Sequence, residues 1–204
     1  MTRTSYHHGA LRDTLLAASL RLIETEGIGA VSLRRVAREA GVSTGAPYHH
    51  FADRSALLAA LSTQGFELLG SEVAAARDAA ETPLQALTAL AEAYVRFSRE
   101  HPGHFRLMFR PELSQPDKHP EAEAAGDAAF GVLSDCIADC VAAGLLPADK
   151  ADIIAVAWWG LAHGLASLWL DGQLDKRSVQ LGTVAPTLVD DIMRTFATLI
   201  TPGA

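Results

Sequence analysis

The stretch GVSTGAPYHHF, Gly41 to Phe51, sets a glycine, two hydroxyl residues and a proline between segments with helical apolar spacing. Gly41 stands where a helix needs a left-handed C-cap, and Gly41-Val42-Ser43 makes a tight turn whose valine can plug the angle between two helices. Ser43 or Thr44 can cap the next helix. With Thr44 as cap, Pro47 falls in the first turn, where its missing N–H would be unpaired in any case. The spacing therefore predicts a helix-turn-helix. Its second helix, roughly residues 44–50, is too short to stand alone and must be held from behind by Tyr48, Phe51, Leu57 and Leu58. The opposite face presents Thr44, Gly45, Ala46 and His49, small and polar enough to approach base edges or phosphates in a major groove.

Upstream, Leu11, Leu15, Ala18 and Leu22 follow helical steps until Gly27 arrives as a stop. Ser32 then offers an N-cap oxygen to a short helix whose apolar face is Val36, Ala37 and Ala40. Downstream the helices lengthen, and no sustained period-two run marks a strand. One helix is expected from about Arg54 to Ala80, another from Thr82-Pro83 to Glu100, and a short one from Pro102. Further helices are expected over residues 121–143, 149–170 and 184–200, with the polar Asp175 to Gly182 segment as loop or a separate turn. The chain is read as all-α with about nine helices, its head at residues 1–53 and a larger helical domain at 54–204.

Charge is distributed unevenly over the 204 residues. The net charge is −7. Residues 1–60 hold seven arginines against five carboxylates, or +2, which leaves −9 for the remainder. A mildly basic head on an acidic body suits a small polyanion-binding module joined to a domain with another task. The N-terminus has neither a continuous apolar segment nor a small-residue cleavage site, and no uncharged apolar run reaches the roughly 18 residues of a membrane span, so a cytoplasmic, non-membrane protein is expected. Cys136 and Cys140 suit one helix face better than a disulfide. Structural thiols are the simpler reading, with a redox or metal sensor as the alternative.

The run from Ser32 through VAREAGVSTGAPYHHFADRSALL resembles the DNA-binding head of the TetR (tetracycline-repressor-like) family. The resemblance covers about Leu11 to Leu61 and includes the first-helix glycine, the Ala-Gly-Val-Ser turn and the Tyr-x-x-Phe that closes the recognition segment. It implies a homodimeric transcription factor, most often a repressor, reading a pseudo-palindromic DNA operator and released by a small-molecule effector bound in the C-terminal domain. Carried over by position, it implies DNA contacts from Ser32, Arg34, Ser43, Thr44, Gly45, Ala46, Pro47, Tyr48, His49 and Arg54. Of these, Ser32 and Tyr48 would meet the backbone and Arg34 a base. Arg54 stands where the family usually has a phosphate-binding lysine, and Pro47 where it commonly has an aliphatic residue. Thr4 to Gly9 resembles the flexible arm that some members lay along the minor groove, with Arg3 available to it.

The helix IIAVAWWGLAHGLASLWL is apolar nearly all round, which calls for burial by its own chain or by a twin. Trp159, Gly160, Gly164 and Leu168 on it, with Leu188, Ile192, Phe196 and Leu199 on the last helix, are the expected four-helix dimer interface. The spacing Trp159-x-x-x-His163-Gly164 also resembles a TetR subgroup named for a Trp-His-Gly motif. An effector pocket is expected from Tyr94, Phe97, Phe105, Met108, Phe109, Phe130 and Trp158, with His101, His104 and His163 as polar contacts; the alternative is that these aromatic residues are simply core.

No metal site and no cofactor are expected. Adjacent histidines such as His7-His8 and His49-His50 rarely chelate together, and His101-Pro-Gly-His104 is short and helix-breaking. Nucleophile elbows, phosphate-binding glycine loops, His-Glu-x-x-His and paired-cysteine zinc spacing are all missing, so an enzyme is not expected. The remaining alternative is a helical protein-interaction or small-molecule-binding module that has lost DNA binding.

Overall fold

The computed structural model describes residues 4–201, with side chains from residue 10 onward. Arg3, expected to serve a minor-groove arm, lies outside the described residues. Ten α-helices are present among them: α1 Thr4–Glu26, α2 Leu33–Glu39, α3 Arg54–Asp78, α4 Pro83–Glu100, α5 Pro102–Met108, α6 Pro111–Ser114, α7 Glu121–Ala142, α8 Ala151–Leu170, α9 Gln173–Gln180 and α10 Ala185–Ile200. Three short 3-10 helices, Ile28–Ala30, Ala46–His49 and Ala148–Lys150, complete the described secondary structure, which contains no strand.

The chain divides into two compact units. The first holds Met1–Phe66 together with Pro102–Ala124, and the second Glu67–His101 with Ala125–Ala204. The boundary expected between residues 53 and 54 coincides with the start of α3, which runs on without interruption.

In the first unit, helix ends are set by backbone chemistry. Gly27, at φ 86°, ends α1, and Gly41, at φ 69°, ends α2. After α2 the Val42 N–H reaches the Ala37 carbonyl at 3.0 Å and the Gly41 N–H reaches Arg38 at 3.1 Å, so two otherwise orphaned carbonyls are satisfied. A side chain at position 41 would be strained in that left-handed backbone. Leu15, Leu22, Ile23, Val31, Val36, Phe51, Leu57, Leu58 and Leu61 form the core, with Val42 packed against it as expected of a plug. Leu107 of α5 joins the same core from far along the chain.

Two local expectations fail here. Residues 4–9, whose resemblance is to a flexible arm, continue α1 as helix. The recognition segment is a four-residue 3-10 helix rather than an α-helix from Thr44, and its N-cap is Gly45, with no side-chain capping bond. Pro47 explains the tighter geometry. It sits in the first turn with its ring buried, taking the inward position itself, while Tyr48 turns outward instead of packing behind.

The second unit is built on α4. Thr82 caps it, accepting from the Gln85 N–H at 3.3 Å, and Pro83 occupies its first position. Leu87, Leu90, Tyr94 and Phe97 line its buried face. Helix α8 packs on α4, and α10 packs beside both. The segment expected as loop near Asp175 is helix α9, docked against α8 and α10. Only Leu174 and Ser178 are buried in it, an i, i+4 pair too sparse to show as periodicity. Two bonds fix it: Trp169 Nε1 donates to Asp175 Oδ1 at 3.1 Å, and Ser178 Oγ donates to the Asp175 carbonyl at 2.8 Å.

By length and composition alone, Ala148–Leu170 could cross a bilayer. Ile154, Ala155, Trp158, Ala162, Leu165 and Trp169 are nevertheless buried within the unit, leaving one apolar stripe uncovered, as on a bundle helix that has a partner.

Candidate nucleic-acid interface and effector site

On the head, Ser32, Arg34, Ser43, Thr44, Gly45, Tyr48 and His49 are all exposed, Ala46 is half-buried and Pro47 is buried. Ser32 accepts from the Arg35 N–H at 3.2 Å as the N-cap of α2, which holds Arg34 in the first turn of that helix. Tyr48 is 53% exposed, unusually open for a tyrosine in a small head.

The arginines sort by partner. Arg21 pairs with Glu39 and Arg35 with Glu26, while Arg12 lies over the Phe51 ring at 5.7 Å. Arg54 does not extend freely at the mouth of α3. Its Nε donates to the Val31 carbonyl at 2.8 Å and its Nη2 to the Ile28 carbonyl at 2.9 Å, tying down the 3-10 turn that leads into α2. Arg54 thus has a structural role beside the phosphate contact that the resemblance implies. Arg34 and Arg38 are exposed and carry no ion pair among the described residues.

The residues expected to line a pocket fall into both units. Phe105, Met108 and Phe109 belong to the first, where Phe109 meets Phe66 and Phe105 edge-on at 5.4 and 5.3 Å. Tyr94, Phe97, Phe130, Trp158 and His163 belong to the second. There a polar chain forms. Trp159 Nε1 donates to the Tyr94 hydroxyl, which lies 2.9 Å from His163 Nδ1. The hydroxyl and the imidazole thus share one hydrogen bond, whose donor is set by the His163 tautomer. Trp159 also stands against His163 and Phe130, at 6.1 and 6.0 Å between ring centres. Trp159, expected at the dimer interface, thus also reaches into the aromatic cluster. Trp158 is buried and its Nε1 finds no acceptor.

Burial pushes the Tyr94 hydroxyl well above the ordinary tyrosine range and His163 below the ordinary histidine value. A histidine depressed in the folded state binds fewer protons there than in the unfolded chain. Stability from His163 is thus full above about pH 6.5 and declines as pH falls through that value. Denaturation by urea at pH 7.5 and 5.5 should show a larger loss on acidification for the wild type than for His163→Gln; equal losses would refute the assignment.

Comparison with known proteins gives these surfaces their context. Residues 87–192, just over half of the chain, match the family described as tetracyclin repressor-like, C-terminal domain. Residues 15–61 match bacterial regulatory proteins, tetR family. The chain belongs to the tetR family.

One related structure, of a protein with unknown function from Rhodococcus sp. RHA1, is 34% identical over 98% of this chain and 100% of that one, with a TM-score of 0.82. The HTH-type transcriptional regulator BetI of Rhizobium meliloti (strain 1021) is 37% identical over 79 residues, 39% of each chain. The match thus spans about two fifths of that curated relative's length. The tetR-family regulator PfmR of Thermus thermophilus shares the fold, with a TM-score of 0.73 at 19% identity over 90% of this chain and 97% of that one.

Members of the tetR family are ligand-responsive DNA-binding regulators without catalytic activity. Regulators of this family generally bind DNA operators and small-molecule effectors as homodimers. The residues expected at a dimer interface differ in exposure. Gly160 and Leu168 are exposed on α8 beside Ile153, at 71%, and Val156. Gly164 is half-buried, as are Leu188, Ile192 and Phe196 on α10, and Leu199 is 78% exposed. Cys136 and Cys140 are buried on one face of α7, Cys136 Sγ lying 3.8 Å from the Pro83 carbonyl. Interaction between the two thiols raises Cys136, with burial adding to it, and lowers Cys140.

Sequence reasoning missed the role of Arg54, the contribution of Leu107 to the head and the joining of Trp159 to Tyr94. A basic residue opening α3 was visible, but the carbonyls it serves were not.

Proposed function

We propose that this regulator is a repressor that binds a pseudo-palindromic operator as a homodimer and leaves it when a small molecule enters the C-terminal unit. The observation that carries this reading is the outward face of the head, where Ser32, Arg34, Thr44, Gly45, Tyr48 and His49 are exposed together while the apolar residues behind them are buried. Arg34 is the base-reading side chain, Ser32 and Tyr48 meet the backbone, and Ser43, Thr44, Gly45, Ala46 and His49 supply the close contact surface. The uncovered apolar stripes of α8 and α10 pair with those of a twin, so two heads read half-sites about one helical turn apart.

The effector site of this reading centres on Tyr94 and His163. Aromatic walls with a few convergent polar groups suit an organic molecule carrying a hydrogen-bonding group, and the unpartnered Nε1 of Trp158 suits an acceptor on that molecule. On the spacing Trp159-x-x-x-His163-Gly164 alone, the reading also includes the Trp-His-Gly subgroup.

Selection from a random duplex pool by the wild type and by Arg34→Ala at one salt concentration tests the proposal. A palindrome enriched by the wild type is expected, with affinity falling about 10- to 100-fold in the variant, as for loss of one good base contact. A single half-site would refute the dimeric reading, and no enrichment at low salt would leave a helical binding module without DNA recognition.

A further inference from the structure

Away from these surfaces, Glu72 of α3 meets the C-terminal end of α4. One oxygen from Glu72, one from Glu100 and a ring nitrogen of His101 lie within 4.8 Å of one another. The closest pair is His101 Nε2 and Glu72 Oε1, at 3.3 Å. Two ligands about 2.1 Å from a tetrahedral metal ion lie about 3.4 Å apart, so this pair already has ligand-to-ligand spacing. Glu100 is exposed, and a rotation of its side chain brings its carboxylate the remaining distance.

Three further observations point the same way. Glu72 Oε2 is buried and has no hydrogen-bond partner, a state that a nearby cation relieves. The His101 ring lies 4.9 Å from the Phe97 ring, and the backbone N–H of His101 donates to the Phe97 carbonyl at 2.8 Å, which fixes the main chain that carries the imidazole. The C-terminal end of α4 adds its own partial negative charge. Arg96 competes from 3.9 Å at Glu100, but this is an exposed pair of little strength.

We propose that Glu72, Glu100 and His101 bind one divalent first-row transition cation of the zinc class. Two carboxylates and one imidazole supply two negative charges and a nitrogen donor, which suit Zn²⁺, Co²⁺ or Ni²⁺, whereas Mg²⁺ and Ca²⁺ favour oxygen alone. Water completes the coordination. The sequence paired His101 with His104 and found the spacing unsuitable; the structure instead sets His104 Nε2 3.2 Å from Gln64 Oε1 and directs His101 to Glu72.

Titration of the full chain with Co²⁺, followed by visible absorption and by displacement with Zn²⁺, tests the site. One ion per chain is expected, with no competition from equimolar Mg²⁺. Glu72→Gln and His101→Gln should each weaken binding by more than about 100-fold, beyond what loss of an outer-shell partner causes. Glu100→Gln, at an exposed position where misfolding is no concern, should weaken it at least about 10-fold. Unchanged affinity in any of the three variants, which would place the ion on other histidines, overturns the proposal, as does a wild type that binds no Co²⁺ at millimolar concentration.

Discussion

Replacing Phe97 by alanine is expected to destabilise the effector-free protein by about 3–5 kcal/mol, the range for truncating a fully enclosed aromatic ring. Phe97 is 0% exposed and lies on the α4 face where Leu87, Leu90 and Tyr94 are also buried. The sequence offered Phe97 as a pocket wall, and the two readings separate cleanly. Truncating the wall of an existing cavity removes few contacts and should change stability by less than about 1 kcal/mol, whereas emptying a packed site removes both transfer energy and packing. Chemical denaturation of the purified variant decides between them.

Arg54→Ala is expected to lower the stability of the head by about 2–3 kcal/mol, because two hydrogen bonds to a charged donor are lost, at the Val31 carbonyl and at the Ile28 carbonyl, which keeps only the Val31 N–H. The informative companion is Arg54→Lys. A lysine keeps the charge and would preserve a phosphate contact, but it cannot span the Ile28 and Val31 carbonyls as the planar guanidinium does. The lysine variant should therefore remain about 1–2 kcal/mol less stable than the wild type. Full recovery of stability and operator binding by lysine would return Arg54 to the phosphate-contact role. The carbonyls it ties down precede Ser32 and Arg34, so the structural role also predicts weaker DNA binding without direct contact.

Much of the architecture was legible because it rests on chemistry between near neighbours. Gly27 and Gly41 mark helix ends through backbone conformations that other residues adopt with strain. Thr82-Pro83 marks a helix start through one side-chain oxygen and one missing N–H. Apolar residues at three- and four-residue steps identify the buried face of α4 and the mostly apolar α8. These signals act over four or five residues, and a single sequence contains them whole. Part of the outward face of the head follows from the same local rules, as Thr44, Gly45 and His49 are exposed, whereas Tyr48 and Pro47 take the sides opposite to those expected of them.

Tertiary structure decided the rest, for an equally physical reason: a side chain's partner is set by packing, and packing joins residues remote in the chain. The Arg54 acceptors lie 23 and 26 positions upstream, and Tyr94 meets His163 across 69. Leu107 enters the head's core from a helix that follows two long ones. Glu72 and His101 come together although nothing in either local sequence suggests a pair. Helix α9 exists because Trp169 and the neighbouring helices hold it, not because its eight mostly polar residues favour a helix. By itself the sequence determined an all-helical chain with a helix-turn-helix head and an apolar helix, residues 153–170, that its own chain or a twin must bury. Which arginine is free to read DNA, which tryptophan joins the aromatic cluster and which acids meet a histidine were decided only when the helices packed.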